Sequence, residues 1–173
     1  MPDKQSFMQI ALTPTRELEG APPPLVPFAA WDYYYLKDKL EWHSDADPSI
    51  RITVPVGFVT DLASVPRVFW SLLPPAARYS YPAIIHDYLY WFQMKPFDER
   101  AAADKVLKEA MEDINVGSAQ VFAVYNAVSL AGGHAWTSNG EARAAGERRV
   151  LKRFPTEFKT TWDEWKKEPD VFA

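Results

Sequence analysis

The segment from Pro82 to Tyr90, PAIIHDYLY, places a histidine and an aspartate inside a run that is otherwise apolar and aromatic. Such a run has to be largely buried. Burying His86 beside Asp87 is unfavourable by roughly several kcal/mol unless both side chains find partners. The sequence therefore predicts a buried polar network or a functional site at this segment, and any chemistry is expected to centre on it.

Composition excludes several functional classes. The 173 residues fit one domain with a single sizeable core. With no cysteine, the chain has no disulfide, no thiolate metal site and no cysteine nucleophile, so a metal would be held by histidine and carboxylate oxygen. A formal charge of -4 and the absence of a Lys/Arg run argue against nucleic acid as a partner.

The sequence also bears on location. No apolar stretch reaches the roughly 18 residues of a membrane span, and the first ten residues, MPDKQSFMQI, lack the pattern of a signal peptide. We expect a protein without a transmembrane segment, made in the cytoplasm of its host and leaving it only as part of an assembly.

The pattern along the chain predicts an α+β fold. Aromatic and β-branched runs between Trp31 and Thr60, separated by short charged turns, predict a small antiparallel β-meander. Three helices should pack on it: one from Pro82 to about Gln93, one opened by Asp98 or Glu99 and ended by Gly117, and one from Ser118 to Gly132. In the second helix we expect one apolar stripe at spacings of three and four, formed by Ala103, Val106, Leu107, Ala110, Met111 and Ile114. In the third helix we expect these side chains to face inward: Val121, Phe122, Tyr125, Val128 and Leu130.

The two ends of the chain differ from this core domain, which spans residues 31–136. Residues 1–30 carry a proline cluster at 22–24 and 27 that predicts an extended arm. Residues 137–173 are charged and helix-prone with interspersed Phe and Trp, and predict a helical tail that docks on its own domain or on a neighbour. Contacts to other proteins, or self-assembly, are expected through residues 1–30 and 141–173.

Helical spacing groups the candidate catalytic residues. His86 and Tyr90 are four apart and share a helix face, as do Arg100 and Asp104 on the next helix. The short connection between the helices allows Asp104 to approach His86 and orient its ring. His86 would then be a general base, with Asp104 and Tyr90 as its positioning partners.

Two further carboxylates are candidate metal ligands. Asp87 adjoins His86 but lies about 100° round the helix. Asp61 follows a glycine-containing loop, GFVT, and a capping turn is expected at Thr60, Asp61 or Ser64. Carboxylate oxygens suit a hard divalent cation, with calcium the first expectation.

A purely structural interpretation fits the same residues. Asp61 would cap a helix, Arg100 would pair with a carboxylate, and His86 would be a core histidine with its hydrogen bonds satisfied. Burying four polar groups around one helix carries a large desolvation penalty and stabilises a core less well than apolar packing. This favours a functional site.

Three motifs together resemble an uncharacterised family of small bacteriophage and prophage proteins. They are VPVGFVTDLASVP at 54–66, HDYLY at 86–90, and Arg100 with Ala103-Asp104. The resemblance implies a phage context and no particular activity. The short motif HDxxY, formed by His86, Asp87 and Tyr90, is similar to the motif of phospholipase A2. In that family the histidine activates water, the adjacent aspartate binds calcium, and the tyrosine and a distant aspartate orient the histidine.

Two functions follow as expectations. The first is a particle-associated accessory protein of the tail, neck, baseplate or capsid, present in the virion. The alternative is a metal-dependent hydrolase that cleaves esters or amides of host envelope lipid or peptidoglycan, with His86 as general base.

Overall fold

A computed structural model of the protein describes residues 25–62 and 80–173. Over these residues the fold is α+β, as predicted, with two small antiparallel sheets and five helices. The proline cluster at 22–24 and Ser64 of the predicted capping turn lie outside the described residues. Within the described part of the chain, the helices are too short or too polar to cross a membrane.

The predicted antiparallel strands form two sheets instead of one meander. β1 (Leu25–Pro27), β2 (Tyr34–Leu36) and β5 (Val59–Thr60) form a sheet in the order β1-β2-β5. β3 (Leu40–His43) and β4 (Arg51–Val54) form a hairpin inserted between β2 and β5, in which Leu40 pairs with Val54 and Trp42 with Ile52. These four hairpin side chains are buried, whereas Glu41, Arg51 and Thr53 between them are exposed and His43 is half-buried. This is the alternation of a sheet with one face on the core.

The helices follow in sequence. They are α1 (Ser80–Phe92), α2 (Arg100–Asp113), α3 (Ser118–Ala131), α4 (Gly133–Ala144) and the short α5 (Trp162–Trp165). α1 is buried from Tyr81 to Asp87 and again from Leu89 to Trp91, because it packs against α2, α4 and both sheets. α2 packs on α1 and α3 through the stripe predicted at Ala103, Val106, Leu107, Ala110 and Met111.

The inward face of α3 differs from the prediction. Val121, Val124 and Val128 are buried, whereas Phe122 is 71% and Leu130 87% exposed. α3 packs mainly on one neighbour, α2, so only a narrow stripe at spacings of three and four is covered. Phe122 and Leu130 lie about 100–200° round the helix from that stripe and face outward. Gly132 ends α3 as predicted, but α4 begins at the next residue.

The C-terminal residues pack on the chain's own first sheet. Leu151, Trp162 and Val171 are buried together with Phe28, Tyr35 and Val59 in a second hydrophobic cluster. Backbone bridges join Phe58 to Val150 and Leu151 to Phe172. α5 begins with a capping box in which Thr161 and Glu164 exchange hydrogen bonds. The described end of the predicted arm also joins this sheet, since Leu25–Pro27 pairs with Tyr34–Leu36.

Gly57 sits where the C-terminal residues meet the sheet, and its replacement by alanine should destabilise the protein more than the same change at Gly146. Both glycines have positive φ, 82° and 94°, so alanine at either site costs about 1–3 kcal/mol of backbone strain. At Gly57 the added Cβ would also lie 2.0 Å from the Leu151 carbonyl oxygen, whereas nothing lies within 4 Å at Gly146. We expect Gly57→Ala to lose about 1–3 kcal/mol more in urea unfolding. Equal losses would mean that this close approach does not form.

Candidate active site

The carboxylate of Asp104 is the centre of a buried hydrogen-bond network. Asp104 is 1% exposed. Its Oδ1 lies 2.9 Å from His86 Nε2 and accepts a hydrogen bond of 2.6 Å from the Tyr90 hydroxyl. Its Oδ2 accepts a hydrogen bond of 3.1 Å from Arg100 Nη1. The predicted approach of Asp104 to His86 and Tyr90 is therefore present in the structure.

Local helix geometry explains why these residues meet. His86 and Tyr90 are one turn apart on α1, with ring centroids 4.0 Å from each other, so both present their polar atoms to the same carboxylate. Arg100 and Asp104 are one turn apart on α2. Packing of α1 against α2 then closes the network.

Arg100 extends the network to a third helix. Its guanidinium donates to the carbonyl oxygens of Val128 at 3.1 Å and Ser129 at 2.9 Å, in the last turn of α3. The Val128 carbonyl oxygen also accepts the backbone N–H of Gly132 at 2.7 Å, and a cation at this end of α3 complements the helix dipole. Arg100 thus ties Asp104 to the end of α3.

Gly132 is a site residue whose role the sequence did not reveal. A Cβ at this position would lie 2.4 Å from the Tyr90 hydroxyl oxygen, 2.7 Å from the Val128 carbonyl oxygen and 3.3 Å from Arg100 Nη1. Glycine is therefore needed so that the end of α3 can approach the network. The Gly132-Gly133 pair was the available signal, but it indicated only the end of a helix.

The hydrogen bonds fix the state of His86. Burial lowers its pKa, and the opposing effect of the hydrogen bond and charge of Asp104 does not reverse this direction. The ring is therefore neutral at neutral pH. Because a carboxylate can only accept, Nε2 carries the hydrogen and Nδ1 carries a lone pair.

Nδ1 of His86 has no hydrogen-bond partner among the described residues, although the ring is 0% exposed. His43 Nδ1 shares this property, but within the described chain no carboxylate is bonded to the His43 ring. A buried acceptor without a partner costs about 1–3 kcal/mol. His86 is thus an imidazole that is oriented by a carboxylate and whose second nitrogen makes no hydrogen bond to the described residues.

The partners of Asp104 set its charge state. Burial alone would raise its pKa, but the hydrogen bonds from His86 and Tyr90 and the nearby positive charge of Arg100 outweigh burial and lower it. Burial and the neighbouring carboxylate raise the pKa of Tyr90 well above its usual range, so its hydroxyl keeps its proton. Asp104 is consequently an anion held by neutral and cationic donors.

The two carboxylates predicted as metal ligands lie outside this network. The Thr60 hydroxyl donates to Asp87 Oδ2 and accepts a hydrogen bond of 3.0 Å from the Leu62 backbone N–H, which ties α1 to the end of β5. Asp61 is half-buried beside them. Across residues 25–62 and 80–173 no three His, Cys, Asp or Glu side chains are grouped to hold a metal ion. The calcium site at Asp87 and Asp61 stays a prediction.

Fold and network together define an α+β protein with an internal His–Asp–Tyr–Arg cluster. Residues 34–128 match the family described as "protein of unknown function (DUF1353)", and the chain belongs to this family. The match includes every member of the cluster and ends before Gly132. No curated protein matches the chain. No solved structure matches it either.

The protein should become less stable as the pH is lowered below about 6.5, because His86 is buried in its neutral form. In the unfolded chain the imidazole gains a proton near pH 6.5, whereas burial in the folded state delays protonation to lower pH. The unfolded state therefore binds more protons below pH 6.5, and the free energy of unfolding should decrease there by up to about 1.4 kcal/mol per pH unit.

The measurement is urea unfolding between about pH 7.5 and 5. His86→Gln removes the titrating group and should flatten the slope. His134→Gln makes the same change on an exposed residue of α4 and should keep it. An unchanged slope in His86→Gln would show that His86 does not titrate in this way.

Proposed function

We propose that the protein is a hydrolase of ester or amide bonds in which Nδ1 of His86 is the general base. The observation that carries this proposal is that Nδ1 has no hydrogen-bond partner in the part of the chain that the structure describes, while Asp104 holds the other ring nitrogen at 2.9 Å. A histidine general base needs a nitrogen with a free lone pair, and a fixed tautomer and a nearby anion make it more effective. His86 has all three.

The remaining members of the network have positioning roles in this proposal. Asp104 holds the ring so that Nδ1 is the nitrogen without a hydrogen, and its charge would stabilise the imidazolium after proton transfer from water. Tyr90 and Arg100 hold Asp104 in place through the hydrogen bonds of 2.6 Å and 3.1 Å. A network that served only to stabilise the core would be expected to satisfy Nδ1 as well.

The likeness to phospholipase A2 supports the same assignment. In that family an aspartate and a tyrosine orient the histidine that activates water, and in this proposal Asp104 and Tyr90 would have those roles toward His86. Activation of the substrate carbonyl would fall to a divalent cation at Asp87 and Asp61. In a phage context, host envelope lipid or peptidoglycan would be the substrate class. Because the ring is fully buried, turnover requires the site to open to water.

The test compares the wild type with His86→Gln on phospholipid vesicles and on purified peptidoglycan, each with calcium and with EDTA. Glutamine can still donate an N–H to Asp104, so the fold should persist. It cannot accept a proton at neutral pH, so it cannot act as the general base. Turnover should fall by about 10²–10⁴-fold. The pH profile of the wild type should lose activity on its acid side, at a pH below 6.5, because His86 must be neutral.

His134→Gln is the matched control and should retain full activity. No turnover by the wild type on either substrate class would overturn the proposal, as would full activity of His86→Gln. Activity that survives EDTA would remove the cation from the proposal and leave the general base.

A second proposal is a particle-associated accessory protein of a phage or prophage, made in the host cytoplasm and carried in the virion. The observation that favours it is the exposure of Phe122 and Leu130, two large apolar side chains on the outer side of α3. The C-terminal residues bury Leu151, Trp162 and Val171 on their own sheet, so these three side chains are not available to a neighbour. Contacts would involve α3 and residues 1–24 instead.

Incorporation into particles tests this second proposal. Phe122→Asp should reduce the amount of protein that sediments with particles by about tenfold, because a charge would have to be buried at the contact. Phe158→Asp, the same change on another exposed ring, should not. His86→Gln should incorporate normally, which separates this role from hydrolysis. Equal incorporation of Phe122→Asp and the wild type would contradict it.

A further inference from the structure

A half-open cleft lies between the β3–β4 hairpin and the C-terminal half of α1. Its volume is about 170 Å³. Its walls come from β4, from the end of α1 and from the connection to α2 at residues 94–97. The cleft is therefore formed by three separate parts of the core domain.

Aromatic side chains form much of the lining. The rings of Tyr88 and Phe92 lie one turn apart on α1 with centroids 4.6 Å from each other, and Phe97 comes from the connection. All three are only half-buried, so their surfaces remain available to a ligand. An apolar cavity of about 150 Å³ holds one benzene molecule. The volume of this cleft thus suits a single six-membered ring with a small substituent.

The charged residues known to line the cleft have one sign. Arg51 on β4 and Lys95 on the connection are both exposed and both line it, and none of the described residues that line the cleft is acidic. Two cations beside an aromatic floor favour an anionic group on the ligand.

We propose that this cleft binds a small aromatic carboxylate, with the ring against Tyr88, Phe92 and Phe97 and the carboxylate near Arg51 and Lys95. The site is distinct from the His86 network. Tyr88 and Phe92 lie about 160–200° round α1 from His86 and Tyr90, respectively, so the two sites occupy different sides of the helix. The proposal does not depend on the hydrolase assignment.

Ligand-observed and protein-observed NMR titrations with three probes test it. Benzoate has both ring and charge, benzyl alcohol has the ring alone, and acetate has the charge alone. Benzoate should bind saturably with a Kd of about 1 mM, typical of so small a ligand. Benzyl alcohol and acetate should each bind at least about threefold more weakly. Added salt should weaken benzoate binding and leave benzyl alcohol unaffected.

Variants locate the binding. Arg51→Gln and Lys95→Gln should each weaken benzoate about threefold. Arg148→Gln and Lys105→Gln, the same changes on exposed residues elsewhere, should have no effect. Phe97→Leu should weaken benzoate and benzyl alcohol alike. Absence of saturable benzoate binding would overturn the proposal, as would equal binding of benzoate and benzyl alcohol or an unchanged affinity in both Arg51→Gln and Lys95→Gln.

Discussion

The buried negative charge of Asp104 is the constraint on which the rest of the structure depends. A carboxylate that is 1% exposed is stable only if several donors surround it. His86 and Tyr90 supply two from α1, and Arg100 supplies a third from α2 while also binding the last carbonyls of α3. The relative positions of three helices are thereby fixed around one side chain. Gly132 belongs to the same constraint, since a side chain there would displace the Tyr90 hydroxyl.

Burial of α1 on nearly every side is the second constraint. A helix of this kind needs partners all round, and here they are α2, α4, the hairpin and the first sheet. The first sheet in turn has a second face to cover. The C-terminal residues cover it with Leu151, Trp162 and Val171, so two hydrophobic clusters of the described residues lie on opposite sides of one small sheet.

The sequence predicted what local spacing controls. The meeting of His86, Tyr90 and Asp104 follows from pairs four residues apart on two helices with a short connection, and the stripe of α2 follows from helical periodicity. The prediction that Phe122 and Leu130 face inward was wrong, because periodicity does not show which face of a helix packs against a neighbour. The division of the strands into two sheets and the packing of Trp162 on Phe28 depend on contacts distant in sequence. The unpartnered Nδ1 and the role of Gly132 depend on distances of a few ångström, which no spacing pattern contains.

Burial of His86 links the stability of the protein to the chemistry proposed for it. A base at neutral pH must be unprotonated, and desolvation achieves this by lowering the pKa of the ring. The same desolvation makes the folded state sensitive to acid, because the unfolded chain takes up the proton first. Asp104 limits both effects, since its charge favours the imidazolium. A change that let water reach the ring permanently would raise its pKa and protect the fold from acid, but it would also reduce the fraction of base that is neutral. A brief opening would let water reach Nδ1 while the ring stays buried, with a lowered pKa, for most of the time. A buried imidazole oriented through Nε2 is suited to that mode of action.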